Sequence, residues 1–311
     1  MTNFNRREWL AVATSAAAAT VGSQVTVQGA EEERSPGKFR FCLNTGTIRG
    51  QNLGIVREIE VASKAGYDGI EPWLRTINEY VAQGGTLKDL KKRLEDSGLK
   101  LESAIAFAQW IVNDPDKRKA ALEEAKRDMD VMAQLGGTRI AAPPAGANDD
   151  PNLPLPVVAE RYRALLEVGA EIGVTPQLEV WGFSKVLSRL GEAAYVAVEA
   201  GHPNSCILGD VYHIYKGGTD FNGLRQLSGV GMHVFHMNDY PANPPRETIT
   251  DADRVYTGDG VAPLAKIMQT FREIGFEGAL SLELFNRSYW ERDALEVAKT
   301  GLEKMKQTAA L

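Results

Sequence analysis

Beyond the first thirty residues the chain alternates short apolar runs of β-type residues with longer stretches of helical periodicity. The predicted strands centre on Phe41, Ile70, Ala104, Ile140, Leu178, Leu208, Phe235 and Leu282, and a helical stretch follows each of them. In the clearest helices apolar residues recur at steps of three, four and three: Leu122, Ala125, Met129 and Met132; Leu264, Ile267, Phe271 and Ile274; Leu295, Ala298, Leu302 and Met305. Those steps put the side chains on one face of a helix. Asp114-Pro115 is a helix start, with a capping carboxylate before a first-turn proline, and Gly136-Gly137 ends the same helix. Parallel strands with crossover helices, eight times over, predict an α/β fold of the (β/α)8 TIM-barrel type, a single domain over residues 31–311. A doubly wound open sheet shows the same alternation, but no Gly-x-Gly-x-x-Gly follows the first strand.

The N-terminus has a different pattern. Asn5-Arg6-Arg7-Glu8-Trp9-Leu10 leads into a run of small and apolar residues ending at Val21. That run is too short to span a bilayer, which takes about 20 residues. Paired arginines before a short apolar stretch predict a twin-arginine export signal over residues 1–30, cleaved after Ala30. The expected location is the periplasm, with no stable membrane insertion after processing. This export route carries folded proteins, so a metal can be loaded before export.

Composition narrows the functions. With 43% hydrophobic and 24% charged residues the chain has an ordinary globular balance, which excludes a disordered or fibrous protein. Its net charge of -6 disfavours a nucleic-acid partner. Two cysteines, Cys42 and Cys206, are too few for a disulfide scaffold or a thiolate zinc site. They fall on strands one and six, which are not neighbours in the barrel, so they are expected to stay unbridged.

In such a barrel the active site lies at the carboxyl ends of the strands. Strand five reads Gln177-Leu178-Glu179-Val180-Trp181, and strand six runs from Leu208 through Asp210 to His213. Strand seven runs from His233 through His236 to Asp239, and strand eight reads Leu280-Ser281-Leu282-Glu283-Leu284-Phe285. Glu179 and Glu283 each sit between apolar neighbours, so strand alternation turns both carboxylates inward. A charge there is costly unless it is paired or binds a cation. Glu179, Asp210, His236 and Glu283 therefore form a candidate site for one divalent metal. Three carboxylates and an imidazole suit Mn2+ foremost, with Mg2+, Co2+ or Zn2+ as alternatives, and disfavour copper or iron–sulfur. His233, three residues before His236, falls on the opposite strand face.

Further residues carry open alternatives. Trp181 faces the same way as Glu179 and stacks on a sugar or fills the barrel core. Glu71, at the end of strand two, binds a substrate hydroxyl or pairs with an arginine. Asn44, at the end of strand one, contacts substrate or caps the turn. The long segment Tyr240–Gly260 is expected to form a loop over the site.

Two C-terminal runs carry a resemblance: Asp253-Arg254-Val255-Tyr256-Thr257-Gly258-Asp259-Gly260, and Leu282-Glu283-Leu284-Phe285-Asn286-Arg287-Ser288-Tyr289-Trp290. With weaker likeness at Gly66–Glu71 and Asn78–Tyr80, the mature chain resembles the xylose-isomerase-like barrel family of sugar isomerases and epimerases, in particular its keto-inositol-isomerising members. The resemblance implies Glu179, Asp210, His236 and Glu283 as metal ligands, and His213 and Arg254 as substrate-contacting groups. It implies an isomerase or epimerase of a keto-sugar or keto-inositol. The proton would move through an enediolate whose charge the metal offsets, with Glu179 and Glu283 as the acid–base pair. Thr257 stands where the family often has Pro. The implied partner is a small polyol or keto-sugar, and a homo-oligomer is compatible with the reading.

Three rival classes remain to be weighed. A metal-dependent lyase or dehydratase acting by β-elimination on oxidised sugars or glycosides would use the same residues. A barrel-type phosphodiesterase needs more histidines than the four present and a less acidic chain. A non-catalytic sugar-binding protein would have no need of all four ligands and Arg254.

Overall fold

The computed structural model describes residues 39–311, and the expected export signal lies outside them. Eight parallel strands run β1 Arg40–Asn44, β2 Gly69–Glu71, β3 Lys100–Leu101, β4 Arg139–Ala142, β5 Thr175–Glu179, β6 Ile207–Asp210, β7 Val234–Met237 and β8 Ala279–Leu282. Their hydrogen-bonded order is β3-β2-β1-β8-β7-β6-β5-β4. Closing the ring through β1 and β8 is the barrel topology expected from the alternation.

The third strand is shorter and earlier than the pattern centred on Ala104 suggests. Its paired residues with β2 are Lys100 and Leu101; the Glu102 N–H still donates to the Ile70 carbonyl at 3.2 Å, while its side chain pairs with Arg40 on β1. The seam between β3 and β4 is instead spanned by the Ala141 N–H donating to the Ala104 carbonyl at 2.8 Å. Ile105 adds a parallel bridge to Trp73.

The helices are α1 Ile55–Ala65, α2 Leu74–Ala82, α3 Leu87–Asp96, α4 Pro115–Leu135, α5 Leu155–Ile172, α6 Leu190–Glu199, α7 Val211–Lys216, α8 Leu264–Glu273, α9 Arg287–Trp290 and α10 Ala294–Ala309. The expected caps of α4 form. Asp114 accepts the N–H groups of Asp116 and Lys117 at 3.0 Å, and Gly136 closes the helix in the left-handed region at φ 85°. A cap of that kind is worth about 1 kcal/mol. Ala125, Met129 and Met132 are buried beneath α4, as their spacing requires. Helix α10 lies tightly on the barrel, since a Cβ at Gly301 would fall 2.2 Å from a Leu282 methyl.

Strand parity divides the interior into two environments. Leu43, Ile70, Ile140, Leu178, Phe235, Leu280 and Leu282 point outward into the main core under the helices. The alternate positions point into the barrel. At its lower level Cys42, Ala141, Leu208, Val234 and Ala279 pack together as a small apolar plug. One step further along the same strands come Asn44, Asp210, His236 and Ser281, all buried and all polar. Both cysteines are free and buried, Cys42 on β1 and Cys206 before β6, with β8 and β7 between those strands.

Candidate metal centre and its cavity

The polar layer above the plug is built from strand ends. Asp210 is the last residue of β6 and lies in register with His236 on β7, which lies in register with Ser281 on β8. Glu179 ends β5 and Glu283 follows β8. The ligand atoms of Asp210, His236 and Glu283 come within 4.8 Å of one another. Nδ1 of His236 is their focus, 3.2 Å from Glu283, 3.6 Å from Asp210 and 4.0 Å from Glu179. Glu179 thus stands at the edge of the cluster.

The donor set fits a divalent cation. His236 Nδ1 and Glu179 Oε2 are buried and have no hydrogen-bond partner among the described residues. Orphaned buried polar atoms are rare unless something else satisfies them. Burial, together with the nearby charge of Glu283, lifts the Glu179 carboxyl to about 8 in spite of His236. Burial opposes charge on His236, but Glu283 and Glu71 outweigh it and raise the imidazole well above its ordinary range. Three carboxylates crowded round one imidazole make a site where positive charge is favoured.

Beside the ligands stands a supporting set of polar side chains. His236 Nε2 meets Glu71 at 3.0 Å, and Glu71 also accepts from Ser281 at 2.7 Å and Asn44 at 3.0 Å. Asn44 reaches Glu283 as well, at 3.1 Å, and its Oδ1 accepts the Gly46 N–H. Both Glu71 and Asn44 are closed to solvent and neither lines the cavity. In this structure they stand behind the ligands, outside the cavity lining. At strand-end depth they face the ligands, so Glu71 pairs with a histidine rather than an arginine, and Asn44 takes its alternative role of turn cap.

Arg254 also differs from the simple expectation. It is fully buried; its Nη1 donates to Glu283 at 2.8 Å and Asp210 at 3.0 Å. Its Nη2 contacts His213 at 3.0 Å and also pairs with Asp251. The guanidinium lines the cavity, yet its terminal nitrogens hold protein groups. His213 lies on α7, and its ring nitrogens are committed to Gly182 and Arg254. Burial lowers its basicity. Trp181 lines the cavity beside Glu179.

The loop from β7 to α8 carries Arg254, as expected, and Asp239 pins its base. That carboxylate accepts N–H groups from Tyr240, Gly258, Gly260 and Ala262, and its backbone bridges Val255. Sequence reasoning passed over Asn238, Ser281 and Asp251. Asn238 donates to both Asp210 oxygens at 3.2 Å. Asn238 lies two residues past His236 and Ser281 two before Glu283, so strand parity alone placed both at the site. Asp251 had no such signal, because it lies in a short 3-10 turn within a loop.

The centre opens into a cavity of about 370 Å3, lined by Glu179, Glu283, Arg254 and His213 and walled by aromatic side chains. A candidate divalent-metal centre at the carboxyl mouth of a (β/α)8 barrel defines a class of protein. The chain belongs to the xylose isomerase-like TIM barrel family, whose pattern matches residues 59–308. It is 28% identical over 272 residues to an inosose isomerase of Bacillus velezensis, covering 85% of this chain and 95% of that one. It is 24% identical over 250 residues to a 3-dehydroshikimate dehydratase of Pseudomonas aeruginosa, covering 80% of this chain but 39% of that longer one. Among solved structures it is similar to the IOLI protein with a bound zinc atom, at a TM-score of 0.81 and 22% identity, covering 88% of this chain and 98% of that one. Inosose isomerases and sugar epimerases thus stand among its relatives.

Proposed function

We propose that the protein is a divalent-metal-dependent isomerase or epimerase of a keto-sugar or keto-inositol. The observation that carries this is the placement of two carboxylates, Glu179 and Glu283, on the wall of one cavity around the unpartnered Nδ1 of His236. One carboxylate removes the proton from the carbon next to the carbonyl. The other returns it at the neighbouring carbon or the opposite face. Arg254 keeps a fixed positive charge beside Glu283, where negative charge develops on the substrate oxygens. His213, held by Arg254 and Gly182, shapes the cavity rather than carrying the proton. A metal held by Glu179, Asp210, His236 and Glu283, with Mn2+ the foremost candidate, supplies Lewis-acid polarisation of the carbonyl.

The test is a panel of keto-sugars and inososes with Mn2+-loaded protein in D2O, followed by NMR. Deuterium entering the α-carbon supports the proposal; a panel with no exchange at all rejects it. The dehydratase relative favours one second reading, β-elimination after the same proton abstraction. A dehydrated product would select it.

We further propose that residues 1–30 direct twin-arginine export to the periplasm. Substituting Lys for both Arg6 and Arg7 should leave the protein in the cytoplasmic fraction.

A further inference from the structure

The wall of the cavity carries a continuous run of aromatic side chains. Trp73, Phe107, Trp181 and Phe183 touch in sequence, with ring centroids 5.2, 6.2 and 5.1 Å apart. Phe183 then meets His213 at 5.7 Å, and Phe285 on the far side lies 6.2 Å from Trp73 and 5.0 Å below the Arg254 guanidinium. These residues come from loops that follow β2, β3, β5 and β8 and from the start of α7, so the collar exists only in the folded barrel.

Two members of the collar stand out. Phe107 and Phe183 are 41% and 46% exposed, and among the described residues they are the phenylalanines left open. Both flank Trp181, the residue next to the candidate metal centre on the same strand end. Exposed aromatic side chains are costly to leave in water, and two converging on a cavity mouth mark a binding surface. An exposed aromatic ring takes the apolar face of a sugar ring, while the hydroxyl edge of that sugar remains solvated. The Arg49 guanidinium stacks on Trp73 at 4.5 Å and makes no hydrogen bond or ion pair with any described residue, so its donors are free for hydroxyls in the cavity. The cavity volume of about 370 Å3 lies within the range of about 300–1,000 Å3 typical of pockets that enclose drug-sized molecules.

We propose that Phe107, Trp181 and Phe183 form a subsite for a second ring joined to the reacting one, so that the substrate is a glycoside rather than a free sugar or inositol. The inference rests on the reading of the metal centre as a polyol site. The reacting ring lies between Glu179 and Glu283, and its glycosidic partner lies outward against the aromatic wall.

Calorimetric titration of the metal-loaded full-length protein with methyl β-D-glucopyranoside, phenyl β-D-glucopyranoside and cellobiose tests this without requiring turnover. The two-ring probes should bind at least about tenfold tighter than the methyl glucoside. The Phe107→Ala, Phe183→Ala double variant should lose that advantage while keeping its affinity for the methyl glucoside. Both side chains are largely open, so truncation spares the core. Val230→Ala, an exposed apolar residue elsewhere, should change nothing. Equal affinity for one-ring and two-ring probes, or an advantage that survives the double variant, overturns the subsite alone. Failure of every saccharide to bind overturns the polyol reading with it.

Discussion

His236 and Glu71 meet at 3.0 Å in the floor of the barrel mouth, Nε2 to Oε2, with both side chains closed to solvent. Glu71 engages one ring nitrogen, so the other is free to point among Asp210, Glu179 and Glu283. Carboxylates behind a ligating histidine fix ring orientation and raise its basicity. Burial opposes charge on Glu71, but His236 with the hydrogen bonds from Ser281 and Asn44 outweighs it and lowers its proton affinity, which fits a carboxylate kept ionised by its partners. Glu71→Gln should therefore weaken metal binding by about 10- to 100-fold without removing a ligand. Competition against a chromophoric chelator measures this, and unchanged affinity would reduce Glu71 to packing.

The two histidines of strand seven should behave differently. His236 faces the cluster, whereas His233 lies before β7, half-buried, and burial pushes it down to about 4. His236→Ala should lose the single equivalent of bound metal and His233→Ala should retain it, by elemental analysis after loading. Equal loss in both would refute the strand register.

The paired glutamates call for a conservative substitution, since removing either side chain also removes a candidate ligand. Glu179→Gln and Glu283→Gln each keep one oxygen and the shape. Each should bind metal at saturating concentration and lose turnover by at least about 10²-fold, the scale for a positioned general base. One variant should still exchange the α-proton with solvent while failing to complete the reaction. Near-normal turnover in both would deprive the isomerase reading of its proton route.

Glu58, on α1, gives a pH prediction away from the centre. It is 5% exposed, one carboxyl oxygen has no partner among the described residues, and burial raises it to about 7 against a reference of 4.5, despite a hydrogen bond from Thr45. A raised folded-state value means the folded protein holds the proton more tightly than the unfolded chain. The associated stability is complete below pH 4.5 and is lost as pH rises through 7. Glu58→Gln should therefore gain stability relative to the natural protein at pH 8, on the order of 2–3 kcal/mol, and little at pH 5. Urea unfolding at the two pH values checks it; a gain of equal size at both would rule out titration as the cause.

Strand alternation with apolar neighbours was enough to turn Glu179 and Glu283 inward, because a two-residue period leaves a flanked carboxylate no other face. The same parity separated His236 from His233, and read two residues further it reaches Asn238 and Ser281. The eight-unit pattern likewise determined the barrel, since parallel strands with crossover helices have few ways to bury both faces. Depth was a different matter. Asn44 and Glu71 share the parity of the ligands, but only tertiary packing turned their polar groups onto His236 and Glu283 instead of into the cavity. Arg254 was readable as a site residue, yet its engagement with Asp210, Glu283, His213 and Asp251 depends on how Asp239 gathers four loop amides. Trp181 was readable as a candidate stacking residue, but its assembly with Trp73, Phe107 and Phe285 had no sequence signature, because these lie far apart in the chain and loops carry no period. Phe183 stands two residues along the chain from Trp181, but only long-range packing brought Phe107 to the other side of it, and local pattern contains no information about that distance.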